Sequence, residues 1–304
     1  MRLSCPEPVM VPARPGRQNG AASPDWYKLA QRQAWDFVAP GWALWWPQIE
    51  RGAQAVSDRI TGLCEIGPGS VVVDVATGTG EPAISAAILA GPDGFVLATD
   101  ISARMLEIGR ARAGRLCLTN IAFLQEDADA LALEPGRYDA VTSRFGFMLL
   151  PDPGATARRL ADALAPGGRF ALASWGPSAR VPLLQVAIDA ARRVLDVPIP
   201  DKGAPDLFRL AGDGALAAVL GYAGLSRIHS HTVAFELVVG STAEYASFTR
   251  DTFGPLAAIV DRYDPEVQAE VWRAIAAAAE DYRQADGTVR MQNEAIVAVG
   301  TRLG

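Results

Sequence analysis

Only two histidines and three cysteines occur among 304 residues. Cys5, Cys64 and Cys117 are odd in number and widely scattered, with neither metal-ligand nor redox spacing, so no disulfide framework is expected and free thiols in a reducing compartment are. His229 and His231 share one strand face by two-residue alternation, but no third ligand follows them, and no metal site is expected. Long apolar runs are missing too: there is no 18-residue hydrophobic stretch and no secretory h-region, which argues against a membrane partner and makes the cytoplasm the default. Positive charge is short, with 28 Lys and Arg against 34 Asp and Glu and a net charge of −6. That balance gives no broad surface for nucleic acid or anionic lipid and favours a small-molecule partner, with a homo-oligomer left open.

What the chain does have is enough apolar residue, 50%, to bury a full core. Residues 1–25 are the exception, a Pro-, Gly-, Arg- and Ser-rich stretch that resists regular structure and reads as a mobile tail. Next comes an aromatic concentration: Trp26, Tyr27, Trp35, Phe37, Trp42, Trp45 and Trp46. Large rings anchor helices onto a core, and they also line apolar pockets. Residues 26–66 are therefore expected to form a helical lid, with Trp42 and Trp46 as the rings nearest a ligand.

From residue 70 the pattern alternates. Strands are predicted over 71–75, 94–99, 121–125, 139–143 and 170–175, with helices over 82–90, 102–113 (Ser102 as N-cap, Gly114 as stop) and 155–164 between them. This specifies an α/β fold with a doubly wound, mostly parallel sheet, its core at 67–176. Ligands of such sheets bind beyond the carboxyl ends of the strands. The first strand, Val71 to Val75, ends in Ala76-Thr77-Gly78-Thr79-Gly80, where glycines let the backbone turn and come close to a ligand, and Pro82 suits the first position of the next helix. Asp74 stands just before that loop. Asp100 ends the second strand, twenty residues past Gly80, and carries two acceptor oxygens suited to a ribose. Glu126, Asp127 and Ala128 follow the third strand, and Arg144, Phe145 and Phe147 the fourth. One acid alone is an ordinary loop residue or helix cap. Acids at successive strand ends point to adenosine.

Val71 to Gly80, Val96 to Asp100 and Tyr138 to Val141 resemble motifs of the class I S-adenosylmethionine-dependent methyltransferases. The family places glycine where this chain has Ala76, a departure similar to its ubiquinone/menaquinone C-methyltransferase branch; the stretch after the fourth strand differs from the quinone enzymes. The resemblance implies S-adenosylmethionine as cofactor, a seven-stranded sheet ending in an antiparallel hairpin, and positions for the cofactor. Asp74, Ala76, Thr77 and Gly78 would lie near its methionine end with Gly80 in the same loop. Asp100 would take the ribose, with Ile101 and Met105 beside it, and Asp127 and Ala128 the adenine. Arg144 and Phe145 would lie near the methionine or the acceptor. A nicotinamide dehydrogenase is the rival, since Gly78, Gly80, Ala83 and Asp100 partly satisfy its fingerprint, but Asp74 would repel a pyrophosphate.

The remaining residues, 177–304, are expected to complete the sheet with long strands over 226–239 and 294–301. Between these, about 241–288 carry helical patterns over 243–252 and 265–282, too much for a hairpin loop, and read as a helical cap over the active edge. Phe147 and Tyr245 join Trp42 and Trp46 as candidates for touching the acceptor. His229, His231 and Arg144 are the catalytic candidates; a histidine can serve as general base, and an exposed strand histidine is the plain alternative. The expected reaction is transfer of a methyl group to oxygen or carbon of a small, mainly apolar molecule, the alternative being a protein of the same fold that binds the cofactor without transferring methyl.

Overall fold

The computed structural model describes residues 24–197, 199 and 206–304. The expected tail therefore lies outside the described residues up to residue 23, as does Cys5; Cys64 and Cys117 are free thiols. Two helices come first, α1 (Pro24–Leu44) and α2 (Trp46–Leu63). The alternating unit follows: β1 (Val71–Val75), α3 (Ala83–Ala90), β2 (Phe95–Asp100), α4 (Ala103–Arg115), β3 (Ile121–Gln125), β4 (Tyr138–Arg144), α5 (Pro153–Ala161) and β5 (Leu164–Trp175). Then come α6 (Pro182–Leu195), α7 (Ala215–Tyr222), β6 (Ser226–Val239), α8 (Thr242–Thr252), α9 (Gly254–Val260), α10 (Pro265–Ala278) and β7 (Val289–Thr301).

The strands form one sheet in the order β3-β2-β1-β4-β5-β7-β6. β3, β2, β1, β4 and β5 pair in parallel, and β7 runs antiparallel to both β5 and β6. The parallel run with its reversal at β1/β4 puts the carboxyl ends of β1, β2, β3, β4 and β5 along one edge, where a ligand crevice forms. An antiparallel strand inserted before the last one is not the all-parallel order of the dinucleotide dehydrogenases, which removes the rival reading.

The central strands are near-continuous apolar runs because helices cover both faces. Val56, Ile60, Ala83 and Ala87 of α2 and α3 pack on Val72, Val96 and Val297, while Leu160, Leu216 and Leu220 of α5 and α7 pack on Val73, Phe170 and Leu172. A third cluster joins α6, α8, α9 and α10 to the upper ends of β6 and β7 through Leu184, Tyr245, Leu256, Val271, Ile275 and Met291.

Element ends depart from expectation in instructive ways. Pro82 is the N-cap of α3 rather than its first helical residue. Gly114 does not stop α4, which runs to Arg115. Ser102 does cap α4, its hydroxyl accepting from Met105 N at 3.1 Å.

Candidate functional site

Two cavities lie at the carboxyl edge of the sheet, of about 140 Å³ and about 130 Å³. The first is walled by the β1 loop (Ala76, Thr77, Gly78), the β2 end (Asp100, Ile101), Met105, the β3 end (Glu126, Asp127, Ala128) and Arg144, Phe145 and Gly146 after β4. Every proposed cofactor residue is on this wall except Asp74 and Gly80. Asp74 is fully buried beneath the loop. Gly80 instead serves packing: its φ is 103°, and an added Cβ would stand 2.8 Å from Ile84.

The loop holds its shape through Asp100, whose Oδ2 accepts from Gly78 N at 2.8 Å and Oδ1 from Ser102 N at 2.9 Å. Gly78, at φ 56°, has open space where a side chain would project, so ligand-facing room is kept free there. Ala76 sits at φ 57°, a strained conformation for a residue with a Cβ. Its methyl fits because of Gly146: a Cβ on that glycine would lie 2.5 Å from the Cβ of Ala76. The glycine missing from the loop is thus matched by one on the neighbouring strand end.

Burial dominates the electrostatics. It pushes Asp74 up to about 7, although Thr142 donates to its Oδ1 at 2.6 Å, and Asp74 Oδ2 has no hydrogen-bond partner. Burial likewise raises Asp100 to about 6 against the two backbone donors. Asp74 is sealed from the cavity, whereas Asp100 lines it and has acceptor capacity left for the hydroxyls of a ligand.

Helix α1 closes this cavity. Tyr27 Oη donates to Leu149 O at 2.5 Å, and Asp36 Oδ1 accepts from the Ser102 hydroxyl at 2.6 Å. Lys28 Nζ bridges Asp127 and Asp129 at 2.8 and 2.7 Å. Asp127 is therefore no free acid: Lys28 holds Oδ2, and its Oδ1 accepts from Asp129 N. Lys28, Tyr27, Gln31 and Trp35 are wall residues that motif reasoning missed, since nothing local marks a surface lysine as the partner of an acid a hundred residues away.

The second cavity lies between α2, α6, α8, β6 and the ends of β4 and β5. Ile49, Met148, Trp175, Leu183, Leu237 and Phe248 supply much of its wall. Phe145, held at φ 61°, stacks on Trp175 with centroids 3.9 Å apart and 11° between planes. The two cavities share Trp35, Trp42, Arg144, Phe145 and Leu149. Trp42, whose indole N–H donates to Thr252 O at 3.0 Å, is the expected aromatic that reaches a cavity.

Four other expectations are corrected. Trp46 lines neither cavity, because its ring carries the Arg112 guanidinium at 3.4 Å while that arginine binds Thr79 O and Glu81 from behind the loop. Phe147, 1% exposed, packs edge-on to Phe170 in the core. Tyr245 is fully buried and donates to Leu183 O at 2.8 Å, so burial pushes its phenol up rather than exposing it to a ligand. His229 and His231 pair with Val299 and Val297 on the edge strand β6, which β7 and β5 separate from β4, and they line neither cavity.

Residues 72–168 match the family described as "Methyltransferase domain". They form a class I S-adenosylmethionine-dependent methyltransferase domain. Among curated relatives, the ubiquinone/menaquinone biosynthesis C-methyltransferase UbiE of Pseudomonas putida is 38% identical over 109 residues, 36% of this chain and 43% of that protein. The demethylmenaquinone methyltransferase of Lactococcus lactis is 37% identical over 101 residues, 33% of this chain and 40% of that protein. The match thus spans less than half the length of these relatives. Among solved structures, the YcgJ protein of Bacillus subtilis has 16% identity and a TM-score of 0.51, covering 83% of this chain and 99% of that one. The cyclase SpnF has 20% identity and a TM-score of 0.50, covering 82% and 80%. At these identities the structural likeness speaks for the fold alone. Among the described residues no helix is long and apolar enough to cross a membrane.

Proposed function

We propose that this protein transfers a methyl group from S-adenosylmethionine to an oxygen or carbon of a small, mainly apolar molecule. The observation that carries the reading is the pair of cavities: one whose wall carries the charged and polar residues of the motif-bearing strand ends, and a more apolar one under the cap, meeting at Trp35, Trp42, Arg144, Phe145 and Leu149. The cofactor, when bound, supplies an electrophilic sulfonium methyl group. Asp100 would hold its ribose, Ala128 and Ile101 would flank its adenine, and the Ala76 to Gly78 loop would receive its methionine end above buried Asp74.

The chain's own contribution is placement and dryness. Helix α1 covers the polar cavity from above, and the Phe145–Trp175 stack fixes one face of the apolar one. Holding a nucleophile in line with an electrophile accounts for on the order of 7–11 kcal/mol of a barrier, so no conspicuous catalytic acid or base is needed. Among the described residues no carboxylate, lysine or histidine lines the apolar cavity.

The test is turnover. Incubation of the full chain with S-adenosylmethionine and a panel of hydrophobic hydroxylated and carboxylated compounds should release S-adenosylhomocysteine, read by mass spectrometry. Preference for protein or nucleic acid in competition would overturn the acceptor class. Tight cofactor binding without release across a broad panel would favour a binding protein of the same fold.

A further inference from the structure

The apolar cavity contains one charge and nothing to neutralise it. Arg144 ends β4, and its Nη1 donates to Ala53 O at 3.2 Å and to the Ser57 hydroxyl at 2.9 Å. Both partners are neutral. Nε and Nη2 have no hydrogen-bond partner among the described residues, and the side chain lines both cavities where they meet. Among the described residues no carboxylate forms an ion pair with this arginine. Glu81 and Asp74 act on it through space, but Glu81 is spent on Arg112 at 3.0 Å and Asp74 lies under the loop. A guanidinium presents five donors in a planar fork matched to oxyanions, and leaving three unused beside an apolar chamber is costly unless a ligand takes them.

Two anions compete for this fork: the carboxylate of the cofactor's methionine end and an oxyanion on the acceptor. The anchor of the guanidinium decides between them. Ala53, which holds Nη1, lines the apolar cavity and not the polar one. Among the described residues the apolar cavity has no other charged residue. It also has no base to which a neutral hydroxyl could lose its proton, and a ligand that arrives ionised needs none.

Resting on the methyl-transfer reading, we propose that the acceptor is an apolar molecule bearing a single oxyanion, phenolate, enolate or carboxylate, and that Arg144 receives it. Arg144 is then a specificity-determining residue of the apolar cavity. The stack of Phe145 and Trp175 beside it favours a flat skeleton.

The probes are 4-nitrophenol, 4-nitrobenzoate and neutral 4-nitrotoluene, added to the full chain saturated with S-adenosylhomocysteine. An opposite charge within about 4–6 Å lowers an acid's pKa by roughly 1–3 units, so the 4-nitrophenol absorbance titration should shift down by that amount on binding. By calorimetry at least one anion should bind on the order of tenfold more tightly than 4-nitrotoluene, and which one does separates phenolate from carboxylate. Arg144→Met should abolish both effects in a chain that still binds S-adenosylhomocysteine; Arg144→Lys, which keeps the charge, should retain part of the shift and guards against a folding defect in the first variant. An unshifted titration, a shift that survives Arg144→Met, or no binding of either anion would overturn the assignment. Loss of S-adenosylhomocysteine affinity in Arg144→Met with anion preference intact would give the arginine to the methionine carboxylate instead. Failure of the wild-type chain to bind S-adenosylhomocysteine at all would strike the methyl-transfer reading, which the nitrophenol titration does not measure.

Discussion

The polar and apolar cavities share a wall, but they are built from different kinds of sequence. The polar one is made of strand ends and the loops that follow them, so its residues come in short runs: Ala76 to Gly78, Asp100 and Ile101, Glu126 to Ala128. The apolar one takes single side chains from α2, α6, β6 and α8, among them Ile49, Leu183, Leu237 and Phe248, which are scattered over two hundred residues. A site made of runs shows up as motifs; a site made of single apolar side chains looks like any core. That is why the donor was legible in sequence while the acceptor chamber, including Trp175, was not.

The sharpest break of this comparison is Asp100→Ala. It should weaken S-adenosylhomocysteine binding by about 1.5–3 kcal/mol, the range for hydrogen bonds to a charged group, while 4-nitrobenzoate binding to the ligand-free chain stays unchanged; calorimetry reads both. Equal losses at both cavities would mean that Asp100 maintains the whole edge rather than one site.

Gly146→Ala tests the bargain with Ala76. The new methyl would collide with the Ala76 Cβ, and overpacking of this kind costs about 1–3 kcal/mol, visible as a lowered denaturation midpoint. Adding Ala76→Gly should recover most of the loss, whereas additive defects in the double variant would show the two positions to be independent.

Leu183→Trp is expected to fill the apolar cavity. Acceptor KM should rise on the order of tenfold, about 1.4 kcal/mol, with cofactor affinity unmoved. A parallel loss of cofactor affinity would show that the chambers are one.

The pH dependence separates the cavities again. Asp74 and Asp100 are raised to about 7 and about 6, so the folded, ligand-free chain holds protons that the unfolded chain releases. Their stabilising contribution is full below about pH 4 and is lost as pH rises through 6 to 7, by up to about 1.4 kcal/mol per unit for each group. Cofactor affinity should run the other way and strengthen over that window as Asp100 ionises. Asp100→Asn should flatten the cofactor profile, and a profile unaltered by that change would assign the titration elsewhere.

The smallest effect is expected at Lys28→Met. Its partly exposed bridge to Asp127 and Asp129 is worth about 0.2–1 kcal/mol, so stopped-flow release of S-adenosylhomocysteine should quicken only a few-fold. No change would mean that Tyr27 and Asp36 hold α1 down without it.

Local sequence determined the strands, the loop after β1, the Ser102 cap and the acids at the β2 and β3 ends, because each follows from residues within one turn or one strand of each other. It also placed most cofactor candidates on one wall, since parallel strands in this order must bring their carboxyl ends together. Tertiary structure decided the rest. It hid Asp74 under the loop, spent Trp46 on Arg112 and Tyr245 on Leu183, left His229 and His231 on an edge strand two strands away from β4, and gave Lys28 to Asp127. Each of those outcomes depends on which distant helix or strand packs alongside, and the energy of such a contact is not written in either partner's neighbourhood. Arg144 belongs to both accounts: its position at the end of β4 was readable, but only the fold set it in the wall of a chamber whose described lining carries no other charge.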